Sequence, residues 1–430
     1  MRIHRNNTSD HCDIGMLSAS AFLIYGFNSV VTSAMPEYIL NIGGDALSAG
    51  AQNSLFTFAA VFLRIFLGPF SDRYGSKALL LFGAAGFFLP CALLPFCNNT
   101  HLVLMLRLLQ SIGLAAYYPN VARYIAIRSN PSSEPRRIGT VRLLSTLSLM
   151  SMPAMLLPFI DEFGYAMFFS ALAVISGIGF LLIAPLHNDN LPPRKTAGEN
   201  AQTENERVSS AKGALMHSKQ SGESKQSESV SRHIGIILPT MRIPREFLSV
   251  VGSPFVFAFG YSIVLSFGPM YVETVSPGSN GGFILVFLGL GGLLGNLVMD
   301  RLLSSFGAFH LLSALGLLSA CGMGLTASAA ICMAPLATIC IGAGVFSFGY
   351  YGATAALIAE LGLRHRKQSL GSLFSAQQNC LDLGIMLGSL FAGLILQLEI
   401  PLYTALFFSA MMLAVFPFVW HTQHNKQTKQ

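Results

Sequence analysis

The sequence predicts an all-α polytopic membrane protein: twelve transmembrane helices in two six-helix, pseudo-repeated halves. Three observations predict it. The 430-residue chain is 52% hydrophobic and only 11% charged, against about 25% charged in an ordinary soluble protein. It breaks into about twelve apolar runs, each near or above the ~20 residues that cross a bilayer as a helix. The two sets of runs echo each other at a nearly fixed offset. Lipid cannot satisfy free backbone groups, and no barrel-like alternation is present, so the spans are helical.

In chain order the first six spans fall at 14–38, 48–71, 78–97, 101–126, 139–160 and 163–186. The second six fall at 247–271, 279–300, 307–328, 331–359, 369–396 and 400–420. The tail 1–13 is polar, carries both charge signs and lacks the apolar core and cleavage site of a signal peptide. Residues 187–246 are rich in Ser, Lys, Glu, Gln and Asn, a composition that cannot bury enough surface to fold. They read as a flexible cytoplasmic linker between the halves 14–186 and 247–420, with a short interfacial helix near 234–247. Residues 421–430 form a second cytoplasmic tail.

Charge orients these spans. The segments assigned to the cytoplasm hold Arg2, Arg5, Arg73, Lys77, Arg128, Arg136, Arg137, nine Lys or Arg between 187 and 246, Arg301, Arg364, Arg366, Lys367, Lys426 and Lys429. The opposite loops hold no Lys or Arg but carry Asp45, Asp161, Glu162, Glu273 and Glu399. This is the positive-inside pattern, with both termini cytoplasmic. It accounts for the net charge of +6 through the inner leaflet, so no nucleic-acid partner is expected. The seven Cys lie mostly within apolar spans without CxxC spacing, which points to buried thiols and to no metal site, cofactor or disulfide framework.

The halves read as copies. Ser29 to Tyr38 closes span one with Pro36, and Ser262 to Tyr271 closes span seven with Pro269, an offset of 233 (269 − 36). Tyr117-Tyr118 in span four is echoed by Tyr350-Tyr351 in span ten at the same offset.

Between spans two and three lies Gly68-Pro-Phe-Ser-Asp72-Arg73-Tyr-Gly75-Ser-Lys77. Its spacing resembles the signature loop of the major facilitator superfamily, which joins helices 2 and 3 on the cytoplasmic side. Asp300-Arg301, followed by Gly307, is a degraded echo in the second half. Arg107-Leu-Leu-Gln110-Ser-Ile-Gly113 resembles that superfamily's span-four pattern, with Ser111 in place of its first Gly. Arg64-x3-Gly68-x3-Asp72 and Asp382-Leu-Gly384 are similar to a bacterial exporter-like subgroup that includes arabinose-efflux-like permeases. The resemblance implies two halves that rock about a midplane site, and a conformational latch at Gly68, Asp72, Arg73, Gly75 and Lys77. It also implies a monomer in a bacterial inner membrane, exchanging a small-molecule substrate and protons across the bilayer. One departure stands out: Ser148 to Pro153 in span five keeps the Pro of the drug-antiporter pattern but has no Gly.

Polar groups inside lipid are costly and mark function. In span four Arg107, Gln110, Tyr117 and Tyr118 share a face. In span eleven Ser375, Gln378, Asn379 and Asp382 form a stripe at i, i+3, i+4 and i+7. Asp382 lies about 13 residues, ~20 Å, from the cytoplasmic end. Arg64, Arg107 and Asp382 are the expected proton-coupling residues. Asn28, Gln110, Tyr117, Tyr118, Tyr350, Tyr351, Gln378 and Asn379 are the expected substrate contacts. No nucleophile–base pair or phosphate loop points to an enzyme. The expected function is proton-coupled efflux of a small, moderately polar organic molecule. The alternatives are symport into the cell and a non-transporting sensor of the same fold.

Overall fold

A computed structural model describes residues 7–128, 134–188, 248–306, 308–332, 334–364 and 370–427. Among the described residues there are twelve α-helices. The first half holds α1 (Asn7–Asn41), α2 (Ala46–Tyr74), α3 (Ser76–Leu93), α4 (Thr100–Arg128), α5 (Glu134–Leu156) and α6 (Pro158–Leu181). The second holds α7 (Leu248–Val275), α8 (Phe283–Phe306), α9 (Ala308–Ser328), α10 (Pro335–Arg364), α11 (Leu370–Gln397) and α12 (Tyr403–Gln427). Nine segments are long and apolar enough to cross a membrane by length and composition, and Phe283–Met299 and Tyr403–Phe418 are shorter apolar segments. The remaining helix, α5, is the least apolar because it opens on Arg136, Arg137 and Arg142 and carries five Ser and Thr by Ser151.

The halves repeat one packing plan. In the first, α3 packs on α4, α2 on α4, and α1 on α5 and α6. In the second, α9 packs on α10, α8 on α10, and α7 on α11 and α12. Three pairs join the halves: α2 with α11, α5 with α8, and α1 with α7. Phe27, Phe87, Phe168, Phe257, Phe267 and Phe346 are fully buried between helices, while Phe58, Phe62, Phe66 and Phe70 of α2 face outward. For a chain with this composition an outward apolar face is the surface that meets lipid.

Two glycines shape the turns. Gly75 separates α2 from α3 at φ +83°, and its N–H bonds the Ser71 carbonyl at 3.1 Å. A side chain there would be strained, which is why the loop needs Gly at this position. Gly164, at φ +73° and ψ 170°, breaks the start of α6. The sequence suggested a loop at 161–162. Instead Asp161 lies in a helical first turn with Glu162 just after it, and the break falls on Gly164, the nearby residue able to take that backbone conformation.

Residues 187 and 188, assigned above to the flexible linker, are held. Asp13 is buried and accepts from His187 Nδ1 at 3.0 Å, Tyr124 at 3.0 Å and Arg128 Nη1 at 2.7 Å. Arg128 Nη2 donates to the Asn188 carbonyl at 3.2 Å. A carboxylate at the start of α1 thus captures the chain leaving α6, which composition could not reveal. The rest of the linker, 189–246, and the interfacial segment 234–247 lie outside the described residues.

Candidate functional site

An ion pair joins the halves at the centre of the bundle. Arg64 Nη1 of α2 meets Asp382 Oδ2 of α11 at 2.5 Å. Gln378 Nε2, one turn before Asp382, donates to Oδ1 at 3.2 Å. Asp382 is nearly buried, whereas Arg64 keeps a quarter of its side chain exposed. Neither partner has a charged counterpart in the repeat. At offset 233, Arg64 corresponds to Leu297 (64 + 233) and Asp382 to Leu149 (382 − 233). The duplication preserved the packing plan and left the charges asymmetric.

Arg107 lies elsewhere, wholly inside the first half. It is 0% exposed, and its guanidinium donates to Gln52 and Gln110 at 2.8 Å each and to Thr32 at 3.4 Å. It also lies 4.3 Å from the Phe56 ring centroid, a cation–π contact that strengthens where water is absent. These hydrogen bonds all go to neutral acceptors on α1, α2 and α4. Of the span-four set, Tyr117 also points into the half: it is fully buried and shares a 2.9 Å hydrogen bond with Ser20. Tyr118 instead stacks on Tyr25 at 4.1 Å and lies against Asn28.

The second half presents a matching aromatic group. Tyr261 stacks on Tyr350 at 4.9 Å and meets Tyr351 edge-on at 6.3 Å. Tyr261 lies near Tyr118 across the halves, and Tyr350 near Asp382. Tyr25 and Tyr261 were missed in the sequence because one aromatic within an apolar span looks like any lipid-facing ring. The repeat held the signal for Tyr261, which occupies the position of Asn28 (28 + 233). Beside these rings a narrow cleft of about 10 Å³ is lined by Ser29, Thr146 and Leu149 from the first half and Tyr261, Leu288 and Tyr351 from the second. Gln378 and Asn379 are exposed, while the side chain of Ser375 lies outside the described residues.

The signature loop is tied to α4. Ser71 Oγ donates to Asn120 at 2.5 Å and accepts from Arg123 Nη1 at 2.8 Å. Arg73 is exposed and lies 5.4 Å from the Tyr74 ring centroid. The side chain of Asp72 lies outside the described residues, as do the backbone of Gly307 and the side chain of Asp300.

Comparison with known proteins fits this architecture. The sequence pattern of the Major Facilitator Superfamily matches residues 17–389. A curated relative, the chloramphenicol resistance protein CraA of Acinetobacter baumannii, is 28% identical over 172 residues, covering 39% of this chain and 41% of that protein. The chain thus matches less than half the length of that relative. Among solved structures, a mutant of the nucleoside transporter NupG aligns with a TM-score of 0.69 at 13% identity, over 96% of this chain and 98% of that one. A bacterial homolog of the human lysosomal transporter Spinster, inward-facing and unoccupied, aligns with a TM-score of 0.69 at 15% identity, over 98% and 99%. A POT family transporter holding a thioalcohol-conjugated peptide aligns with a TM-score of 0.69 at 12% identity, over 97% and 96%. At such identities the structures speak for the fold alone. With twelve helices in two repeated halves, and a family pattern running from span one into span eleven, the chain belongs to the Major Facilitator Superfamily.

Proposed function

We propose that this transporter exports a small organic molecule in exchange for protons, and that the Arg64–Asp382 pair is the coupling element. The observation that carries the reading is the pair's position: it is the ion pair that bridges α2 and α11, hence the two halves. If the halves part on one side and close on the other, the carboxylate moves into and out of contact with the guanidinium. An opposite charge nearby favours the charged form of an acid, so the proton affinity of Asp382 differs between the two states. One acid with two environments and access to each side in turn meets the requirement for coupling.

The substrate chamber is the tyrosine-lined region between the halves, with Asn28, Tyr118, Tyr350 and Tyr351 in contact with substrate, and Gln110 and Tyr117 supporting from behind. The hydroxyls and ring faces suit a moderately polar molecule carrying an aromatic or amphipathic part. Efflux draws support from the CraA match, which makes chloramphenicol a sensible first probe. Uptake by symport is the second reading, favoured by the lack of Gly in Ser148 to Pro153. The protein works as a monomer in a bacterial inner membrane, with the 68–77 loop as its latch.

The test uses inside-out vesicles and a metabolite and drug panel, with and without an imposed pH gradient. Asp382→Asn carries the neutral side chain permanently. Gradient-driven accumulation is lost in this variant, while substrate binding and downhill exchange persist. Normal gradient-driven accumulation by Asp382→Asn would place coupling elsewhere, with Glu37 next: it sits beside Tyr165 with Asp161 and Glu273 nearby.

A further inference from the structure

Along α5 the stretch from Ser148 to Ala154 is gripped from both sides. Toward its own half, Ser148 Oγ donates to the Phe22 carbonyl, and Ser29 Oγ donates to the Leu149 carbonyl at 3.5 Å. Gly26 of α1 leaves a notch filled by Met152 and Ser148, where any Cβ would collide with both. Toward the other half, Asn280 Nδ2 donates to the Ala154 carbonyl at 2.8 Å. A Cβ at Gly282 would stand 2.5 Å from the Ala154 Cα. About one turn deeper along α5 and two along α8, Met150 fills a second notch at Gly289 of α8, where a Cβ would stand 2.8 Å from its Sδ and closer still to its Cγ. Met150 is 7% exposed. The α5–α8 seam therefore runs unbroken from the end bearing Asn280 to Gly289, which also lines the central cleft.

We propose that Met150 is a plug and Gly289 its socket, and that their engagement shuts the central cleft toward the face bearing the 42–45 loop. Rocking of the halves, on which this rests, withdraws the plug. Glycine provides the socket because nothing with a Cβ fits beneath the thioether. Methionine suits the plug because an unbranched, polarizable chain can re-enter a notch in more than one rotamer.

The test places one cysteine in the cleft, Ser29→Cys, in a chain whose seven native Cys are replaced, and reads its reaction with an impermeant maleimide from each face of oriented vesicles. Gly289→Leu fills the socket. Labelling from the 42–45 face accelerates about tenfold or more, the population shift expected of overpacking at a closed seam. Adding Met150→Ala to Gly289→Leu returns the rate toward that of the parent. Met150→Ala alone also accelerates labelling from that face, which keeps the test alive if Gly289→Leu does not fold. An unchanged rate in Gly289→Leu, or in Met150→Ala where that is the variant read, overturns the plug. So does acceleration in Gly289→Leu that Met150→Ala fails to reverse. A cysteine at position 29 that reacts from neither face in any variant would instead count against rocking of the halves, and so against the transport reading beneath this inference.

Discussion

At the scale of single residues, the most heavily bonded carboxylate among the described residues is Asp13. Its side chain is 1% exposed, that of Arg128 is 4% exposed, and they meet at 2.7 Å. Removing one member of a buried pair strands the other charge, at a cost of about 3–5 kcal/mol. Asp13→Asn therefore lowers the midpoint of thermal unfolding in detergent, while Asp13→Asn combined with Arg128→Gln recovers part of the loss. Equal loss in the single and double variants would show that the pair is not the source of the stability. His187 is a milder probe, because its ring is largely exposed and its Nδ1–H can donate to Asp13 whether or not the ring is charged. Of all this, the sequence displayed only Arg128 among the basic residues assigned to the cytoplasm and a polar tail of both charge signs at 1–13. Asp13 and His187 stand 174 positions apart, and no local pattern joins them. The Arg64–Asp382 contact was more legible, since each is a rare intramembrane charge and rare charges seek each other. The cage of Arg107 was not, because Thr32 and Gln52 are single polar residues in long apolar runs.

At the scale of elements, the seam between α2 and α11 depends on two glycines in register. A Cβ at Gly393 would stand 2.7 Å from both the Ala46 carbonyl oxygen and the Gly50 Cα, and one at Gly50 would stand 2.6 Å from the Ser389 carbonyl oxygen. Ser389 Oγ bonds the Gly50 carbonyl at 3.0 Å, Ser54 bonds that of Met386 at 2.6 Å, and Leu47 N–H reaches Gln397 at 3.3 Å. Backbones this close are held by small residues and hydroxyls, as at helix interfaces in membranes generally. Gly393→Val forces the helices apart, at about 1–3 kcal/mol for overpacking. Cross-linking between Leu47→Cys and Gln397→Cys then slows markedly; an unchanged rate would mean that the seam does not need glycine. A second test falls on the turn between α2 and α3. Gly75→Val places a β-branched residue at positive φ and costs about 1–2 kcal/mol, read as a lower unfolding temperature. Helix number was legible because each span need only be long and apolar. Helix ends were not: α1 begins at Asn7 rather than 14 and the start of α6 breaks at Gly164, since capping and turn geometry leave little trace in hydropathy. Which helices meet was legible only through the duplication, which implied equivalent neighbours without naming the seam residues.

At the scale of the whole molecule, the helices sort charge to opposite ends of the bundle. With α1 rising from Asn7, each successive helix reverses direction. Arg73, Lys77, Arg128, Arg137 and Arg301 therefore fall at the ends joined to the start of α1, and Asp45, Asp161, Glu273 and Glu399 at the other. Because basic loops are retained in the cytoplasm during insertion, this sorting predicts that the end holding the arginines faces inward. Orientation is thus a property of charge summed over many loops and does not rest on any one residue. Two measurements follow from one argument. A cysteine replacing Asp45, in the chain without native Cys, reacts with an impermeant thiol reagent in intact cells, and one at position 210 reacts only after the membrane is opened. Labelling of 210 in intact cells would invert the molecule. The second concerns the connector, whose polar composition lets it act through reach rather than sequence. Scrambling 195–230 at constant length and charge leaves transport unchanged. The anchor at Asp13 and His187 lies outside the scrambled stretch, so loss of transport in a stably expressed scramble would mean that the connector binds something, and its role as a plain tether would be abandoned.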